Sequence, residues 1–107
     1  MQTQVHFTHM DRSESLEQFA IEKMEGVAHE LLHRGEFHLQ IWLVNEKSAQ
    51  SKGPHQFKCE VSVRFPPKRE IFIDKTSEDM YESIGLVENA LRQVLREEAK
   101  KEIQKRH

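Results

Sequence analysis

Met80, Ile84, Val87, Leu91, Val94 and Leu95 recur at spacings of three and four within the stretch from Thr76 to His107. A helix with this period is apolar along one side for roughly four turns, and that side has to lie against something. Two N-cap candidates, Thr76 and Ser77, stand at its start, and Glu78 and Asp79 then place negative charge at the positive end of the helix dipole. Past Leu95 the stripe breaks, because Glu98 and Glu102 occupy the positions that would continue it. The helix is expected to have a packed first half and a charged second half, with residues 97–107 forming a charged helical tail in solvent.

The rest of the chain supplies a surface of the right kind. Val5 and Phe7 alternate with Gln4, His6 and Thr8, a short strand with one buried face. Ser13 is the N-cap of a first helix whose apolar face is Leu16, Phe19, Ala20, Met24, Val27 and Leu31, ended at Arg34-Gly35 by a left-handed glycine cap. Phe37, Leu39, Ile41 and Leu43 then alternate with His38, Gln40, Trp42 and Val44. Phe57, Cys59, Val61, Val63 and Phe65 alternate with Lys58, Glu60, Ser62 and Arg64. The polar stretch from Glu46 to Gln56, with its Gly53-Pro54 breaker, is a loop. Pro66-Pro67-Lys68 is a turn, and Ile71 and Ile73 mark a fourth strand.

The order β-α-β-β-β-α allows a parallel first pair joined by a right-handed crossover, followed by an antiparallel meander. Each strand has one apolar face, so both helices are expected on the same side of the sheet. The fold class is α+β, a two-layer sandwich of a four-stranded mixed sheet and two helices. The even-numbered strand residues, among them His6, His38, Trp42, Lys58, Arg64 and Phe72, form an open face.

With 107 residues there is material for one modest core, so residues 1–107 are read as one domain. No apolar run approaches the ~20 residues of a membrane span. The start, MQTQVHFTHMD, has neither the basic nor the apolar segment of a signal peptide. Cys59 is alone and cannot form an internal disulfide, which points to the cytoplasm.

His29-Glu30-Leu31-Leu32-His33 matches the zinc-protease pattern, in which two histidines one turn apart hold the metal and the glutamate is the general base. Here both histidines fall nearly opposite the apolar stripe, so they face solvent rather than a cleft. Cys59 sits at an inward strand position, a small core hydrophobe. No nucleophile–base pair, carboxylate pair or glycine-rich phosphate loop is present. The chain is expected to be non-catalytic, with no cofactor, no bound metal and no small-molecule substrate. A metal-dependent hydrolase built on the histidine pair is the remote alternative.

Two surfaces could bind a macromolecule. Trp42 and Phe72 beside Lys58 and Arg64 are the ingredients of a base-stacking, phosphate-contacting platform. More often such rings cover a wet sheet face that meets a protein partner or a second copy in a weak homodimer. The last helix offers Arg92, Arg96, Lys100, Lys101, Lys105 and Arg106 against Glu88, Glu97, Glu98 and Glu102, a local balance of +2 in a chain whose net charge is −2. Arg92, Arg96 and Lys100 form one row along that helix, suited either to an RNA backbone or to ion pairing with its own glutamates.

Over nearly its whole length the chain resembles the bacterial hibernation-promoting factors and ribosome-associated inhibitor A, formerly labelled sigma-factor modulation proteins. The resemblance is most specific at Glu78-Asp79-Met80-Tyr81 with Ile84, similar to the acidic-Asp-Met-Tyr opening of the family's last helix. Ser13-Glu14-Ser15-Leu16 resembles the start of its first helix, and Lys23 falls on a basic position there. The resemblance implies a fold close to double-stranded-RNA-binding domains. It further implies binding in the RNA channel of the small ribosomal subunit, translation repression during stress or stationary phase, and a short form without the dimerisation domain of longer members. The RNA contacts it and the basic row imply are Lys23, Arg92, Arg96, Lys100, Lys101 and Lys105. The chain departs from the family at Ala90, Gln93, Glu97, Glu98 and Ala99, which fall on basic positions of the family's last helix. Gly26 likewise stands where lysine is frequent.

Overall fold

The computed structural model describes residues 2–31, 36–46, 55–66 and 68–105, the last four of these as backbone only. The elements run β1 (Gln2–Thr8), α1 (Glu14–Leu31), β2 (His38–Asn45), β3 (Phe57–Phe65), β4 (Arg69–Ser77) and α2 (Met80–Lys105). The strands lie in the order β1-β2-β3-β4, with β1 parallel to β2 and the other two pairs antiparallel. This is the mixed four-stranded α+β architecture that the period changes in the sequence require.

Between the sheet and the helices, Leu39, Ile41, Leu43, Cys59, Val61 and Val63 meet Ala20, Met24, Val27 and Ala28 of α1 and Ile84, Val87, Leu91 and Leu95 of α2, all buried. One layer of apolar side chains therefore joins both helices to one face of the sheet. Among the described residues no helix is long and apolar enough to cross a membrane.

Ser13 caps α1. Its carbonyl accepts the Glu17 N–H at 2.9 Å and its hydroxyl accepts the Leu16 N–H at 3.3 Å. Glu14 and Glu17 fill the first turn, where their charge suits the dipole. The glycine cap expected at Arg34-Gly35 lies outside the described residues, as do residues 47–54 of the β2–β3 connection. At the margins of that connection the Glu46 N–H donates to the Gln56 carbonyl at 2.8 Å, so the hairpin pairing continues one step past the strands.

The start of α2 differs from expectation. Thr76 and Ser77 are not caps but the last residues of β4, held in the ladder opposite Lys58 and Phe57. The cap is Asp79, whose carbonyl accepts the Ser83 N–H at 3.0 Å and whose carboxylate accepts the Tyr81 N–H at 3.2 Å. Ser77 braces that cap by accepting the Asp79 N–H at 3.2 Å. Ser83, fully buried, donates to the Phe57 carbonyl at 2.6 Å and so ties the first turn of α2 to the start of β3. A buried hydroxyl needs such a partner, and here the partner fixes where the helix begins.

α2 has 26 residues and is about 39 Å long at 1.5 Å per residue. Tyr81 contacts Phe19 and Ser15 near the start of α1, and Arg92 contacts Glu30 near its end, so the two helices run parallel. α2 therefore continues for several turns beyond the level of Leu31.

Candidate nucleic-acid interface

The four cations of α2 whose side chains are described are in different situations. Arg92 is half-buried and pairs with Glu30 of α1, with Glu88 one turn earlier on α2 at 3.6 Å. It is a strut between the two helices. Arg96 and Lys101 are exposed and have no ion-pair partner among the described residues. Lys100 is exposed and lies 3.8 Å from Glu97, a distance and exposure at which an ion pair contributes little. Lys105 ends α2, and its side chain, like Arg106, lies outside the described residues.

Glu98 does not run into solvent. It is only 18% exposed and pairs with Arg69 at the start of β4, so the first turn of the charged tail is tied to the sheet edge. Neither this pair nor Glu30–Arg92 had a sequence signal, since their partners are far apart in the chain. Arg69 belongs to a group that pattern alone did not single out. Lys68 adopts a left-handed backbone (φ 73°) in the β3–β4 turn, and with Arg64 and Arg69 it borders a concavity beside His38 and Glu70.

Lys23 holds its ammonium 5.4 Å from the centre of the Phe19 ring, a cation–π contact. Phe19 also meets Tyr81 edge-on at 5.0 Å, and the Tyr81 hydroxyl donates to Ser15 at 3.4 Å. The Asp79-Met80-Tyr81 segment thus acquires a physical role: Asp79 caps α2, Met80 is buried, and Tyr81 locks α2 to the first turns of α1. By the same pairing of levels, Lys23 lies roughly 16 to 24 Å along the helix axis from Arg96 and Lys101. The structure does not bring these cations into one cluster.

The helix layer is not basic as a whole. α1 carries Glu14, Glu17, Glu22, Glu25 and Glu30 against Lys23 alone, and positive charge dominates only on the part of α2 beyond α1. Gly26 is exposed on α1 and a Cβ added there would meet nothing within 4 Å, so no packing requirement keeps lysine out.

On the open sheet face Trp42 stacks on His6 at 5.6 Å and tilts against Phe72 at 6.4 Å. Phe72 is 55% exposed. The cations of this face are engaged. Lys58 lies 2.8 Å from Glu46 and 2.9 Å from Glu60, which hold its proton well above the usual lysine range. Arg64 lies 3.6 Å from Glu70, which also accepts a hydrogen bond from Ser62.

Among the described residues nothing at the His29-Glu30 motif assembles a hydrolytic site. His29 is exposed with its ring edge-on to Phe37 at 5.5 Å, and Glu30, the residue a zinc protease would use as base, is the ion-pair partner of Arg92. His33 lies outside the described residues, and among the described residues no three metal-ligating side chains converge. Cys59 is fully buried, and burial pushes its thiol up to about 12. At pH 8 it carries almost no thiolate. Ellman's reagent is expected to label the native protein at least roughly a thousandfold more slowly than the unfolded chain, because labelling must wait for opening of the core.

The family model described as sigma 54 modulation protein / S30EA ribosomal protein matches residues 3–103. Comparison with proteins of curated function finds no match. Among solved structures, the N-terminal domain of Protein Y from Thermus thermophilus superposes with a TM-score of 0.71 at 12% identity, covering 88% of this chain and 93% of that one. A ribosomal subunit interface protein from Coxiella burnetii superposes with a TM-score of 0.69 at 21% identity, covering 91% and 96%. At these identities the likeness is one of fold.

Proposed function

We propose, from the premise that this chain belongs to the sigma 54 modulation protein / S30EA ribosomal protein family, that it is a non-catalytic factor which occupies the RNA channel of the small ribosomal subunit and represses translation. Membership makes it a ribosome-associated protein. The finer reading, a cytoplasmic stress or hibernation factor of stationary phase, is supported by the match over residues 3–103 together with the exposed cations of α2. In this reading Arg96, Lys100 and Lys101, which lie on α2 beyond the level of α1, follow a phosphate backbone, with Lys105 continuing the helix and Lys23 as a separate contact on α1. Arg92 reaches RNA only by releasing Glu30.

Backbone contacts of this kind are sensitive to salt, because each neutralised phosphate releases counterions. The protein is expected to sediment with purified small subunits at about 50 mM monovalent salt and to shift to the supernatant at about 300 mM, a change steep enough to see over that range. Protein that stays in the supernatant at the lower salt would overturn the proposal.

A further inference from the structure

We propose that the open sheet face binds an arginine-bearing polypeptide segment of a partner protein. This does not rest on ribosome binding, which uses other residues. Three features converge on it.

Trp42 and Phe72 form a contiguous aromatic surface that no described element of this chain covers, with Phe72 more exposed than any other large apolar side chain described. Rings left in water on a sheet face mark a contact surface. Among the described residues the charge around them is negative: Glu46, Glu60, Glu70 and Asp74 stand against Lys58 and Arg64, a balance of −2 with histidines neutral. Both cations are already engaged by those glutamates, while Asp74 has no partner among the described residues. A phosphate backbone would meet surplus carboxylate here. A guanidinium would find the reverse: aromatic faces to stack on, with Glu60 and Asp74 in the same cross-strand row as Trp42 to receive its N–H groups.

The shape agrees. A concavity of about 440 Å³ lies beside the two rings, bordered by Arg64 and Glu70 and floored by Gln4, Gln40 and Ser62. Those amides and the hydroxyl can both donate to and accept from a peptide backbone. Arginine is favoured over lysine because its planar head stacks on a ring while its fork still donates to a carboxylate.

Trp42 is the only tryptophan in the chain, so its fluorescence reports this face directly. Four probes of equal length are titrated at about 100 mM salt: an arginine-rich peptide, the lysine-rich equivalent, a glutamate-rich peptide and a single-stranded RNA. A saturable fluorescence change is expected with the arginine peptide, several-fold weaker with lysine, and absent with the other two. Asp74→Lys and Phe72→Ala, both at exposed positions of an edge strand, are expected to weaken it at least tenfold while circular dichroism stays unchanged. Arg96→Glu is expected to leave it intact, which separates this site from the RNA surface. No saturable response to the arginine peptide, a response to RNA, equal binding of arginine and lysine, or an affinity that Asp74→Lys leaves unaltered would each overturn the proposal.

Discussion

The double variant Arg96→Glu/Lys100→Glu is expected to bind small subunits roughly a hundredfold more weakly than the parent at about 0.1 M salt. Counterion release gives each phosphate contact a factor of roughly eight at that salt, so two lost contacts account for about sixtyfold, and reversed charge adds repulsion. The slope of log K against log salt should flatten by roughly two contacts' worth, close to 1.8. Both side chains are exposed, and neither has a strong ion pair, so the fold should survive the exchange. Arg92→Gln is the internal contrast. It removes a strut to Glu30 and Glu88, so its effect should fall on stability, on the order of 1 kcal/mol or less because Glu30 is half-exposed. Its salt slope should match the parent's. A slope equally flattened by Arg92→Gln would mean that RNA draws Arg92 away from Glu30. If the double variant binds like the parent at every salt concentration, the charged half of α2 is not the RNA contact.

That contrast shows where sequence patterns stop being informative. Period-2 alternation in β2 and β3 and the apolar stripe of α2 located the core, because burial acts on each residue separately and leaves a local signature. Cys59 was legible for the same reason: an inward position on a central strand is a buried position. The boundary between β4 and α2 was not. Thr76 and Ser77 are good caps by residue type, but their place opposite Lys58 and Phe57 in the ladder outweighs local propensity, and Asp79 caps instead. Charges were the least legible. A cation's availability depends on its neighbours in space, and Glu30, Glu98, Glu46 and Glu60 each engage one from a different element or strand position. Of the nine residues singled out as contacts whose side chains are described, four, Arg92, Lys100, Lys58 and Arg64, have a carboxylate within 4 Å. Strand parity alone put Trp42 and Phe72 on the open face, where Phe72 is exposed and Trp42 partly buried between His6 and Phe72.

The opposite change should strengthen binding. Gln93→Lys/Glu97→Lys restores positive charge at two positions where the resemblance places basic residues, and it moves the net charge from −2 to +1, one unit from the first exchange and two from the second. Both residues are exposed and one turn apart, so lysine can be accepted without disturbing the core. Glu98 and Ala90 are poorer choices. Glu98 holds Arg69 to the last helix, and Ala90 is half-buried, where a lysine stem would have to displace neighbours. Glu97→Lys also removes the weak partner of Lys100 and leaves that ammonium free. The two new lysines face each other and Arg96, Lys100 and Lys101 at spacings of three and four, each like-charge pair costing a few tenths of a kcal/mol. Two added contacts are expected to raise affinity roughly fifty- to a hundredfold at about 0.1 M salt and to steepen the salt slope by about 1.8. Gly26→Lys adds a third cation on α1 and replaces a mid-helix glycine, which should also stabilise the fold by about 0.5–1 kcal/mol. If affinity rises with the α2 pair and Gly26→Lys changes stability only, then the RNA path follows the overhanging half of α2 and does not cross α1. If the α2 pair leaves affinity unchanged at every salt concentration, the family's mode of contact has been lost in this chain together with the charges that served it.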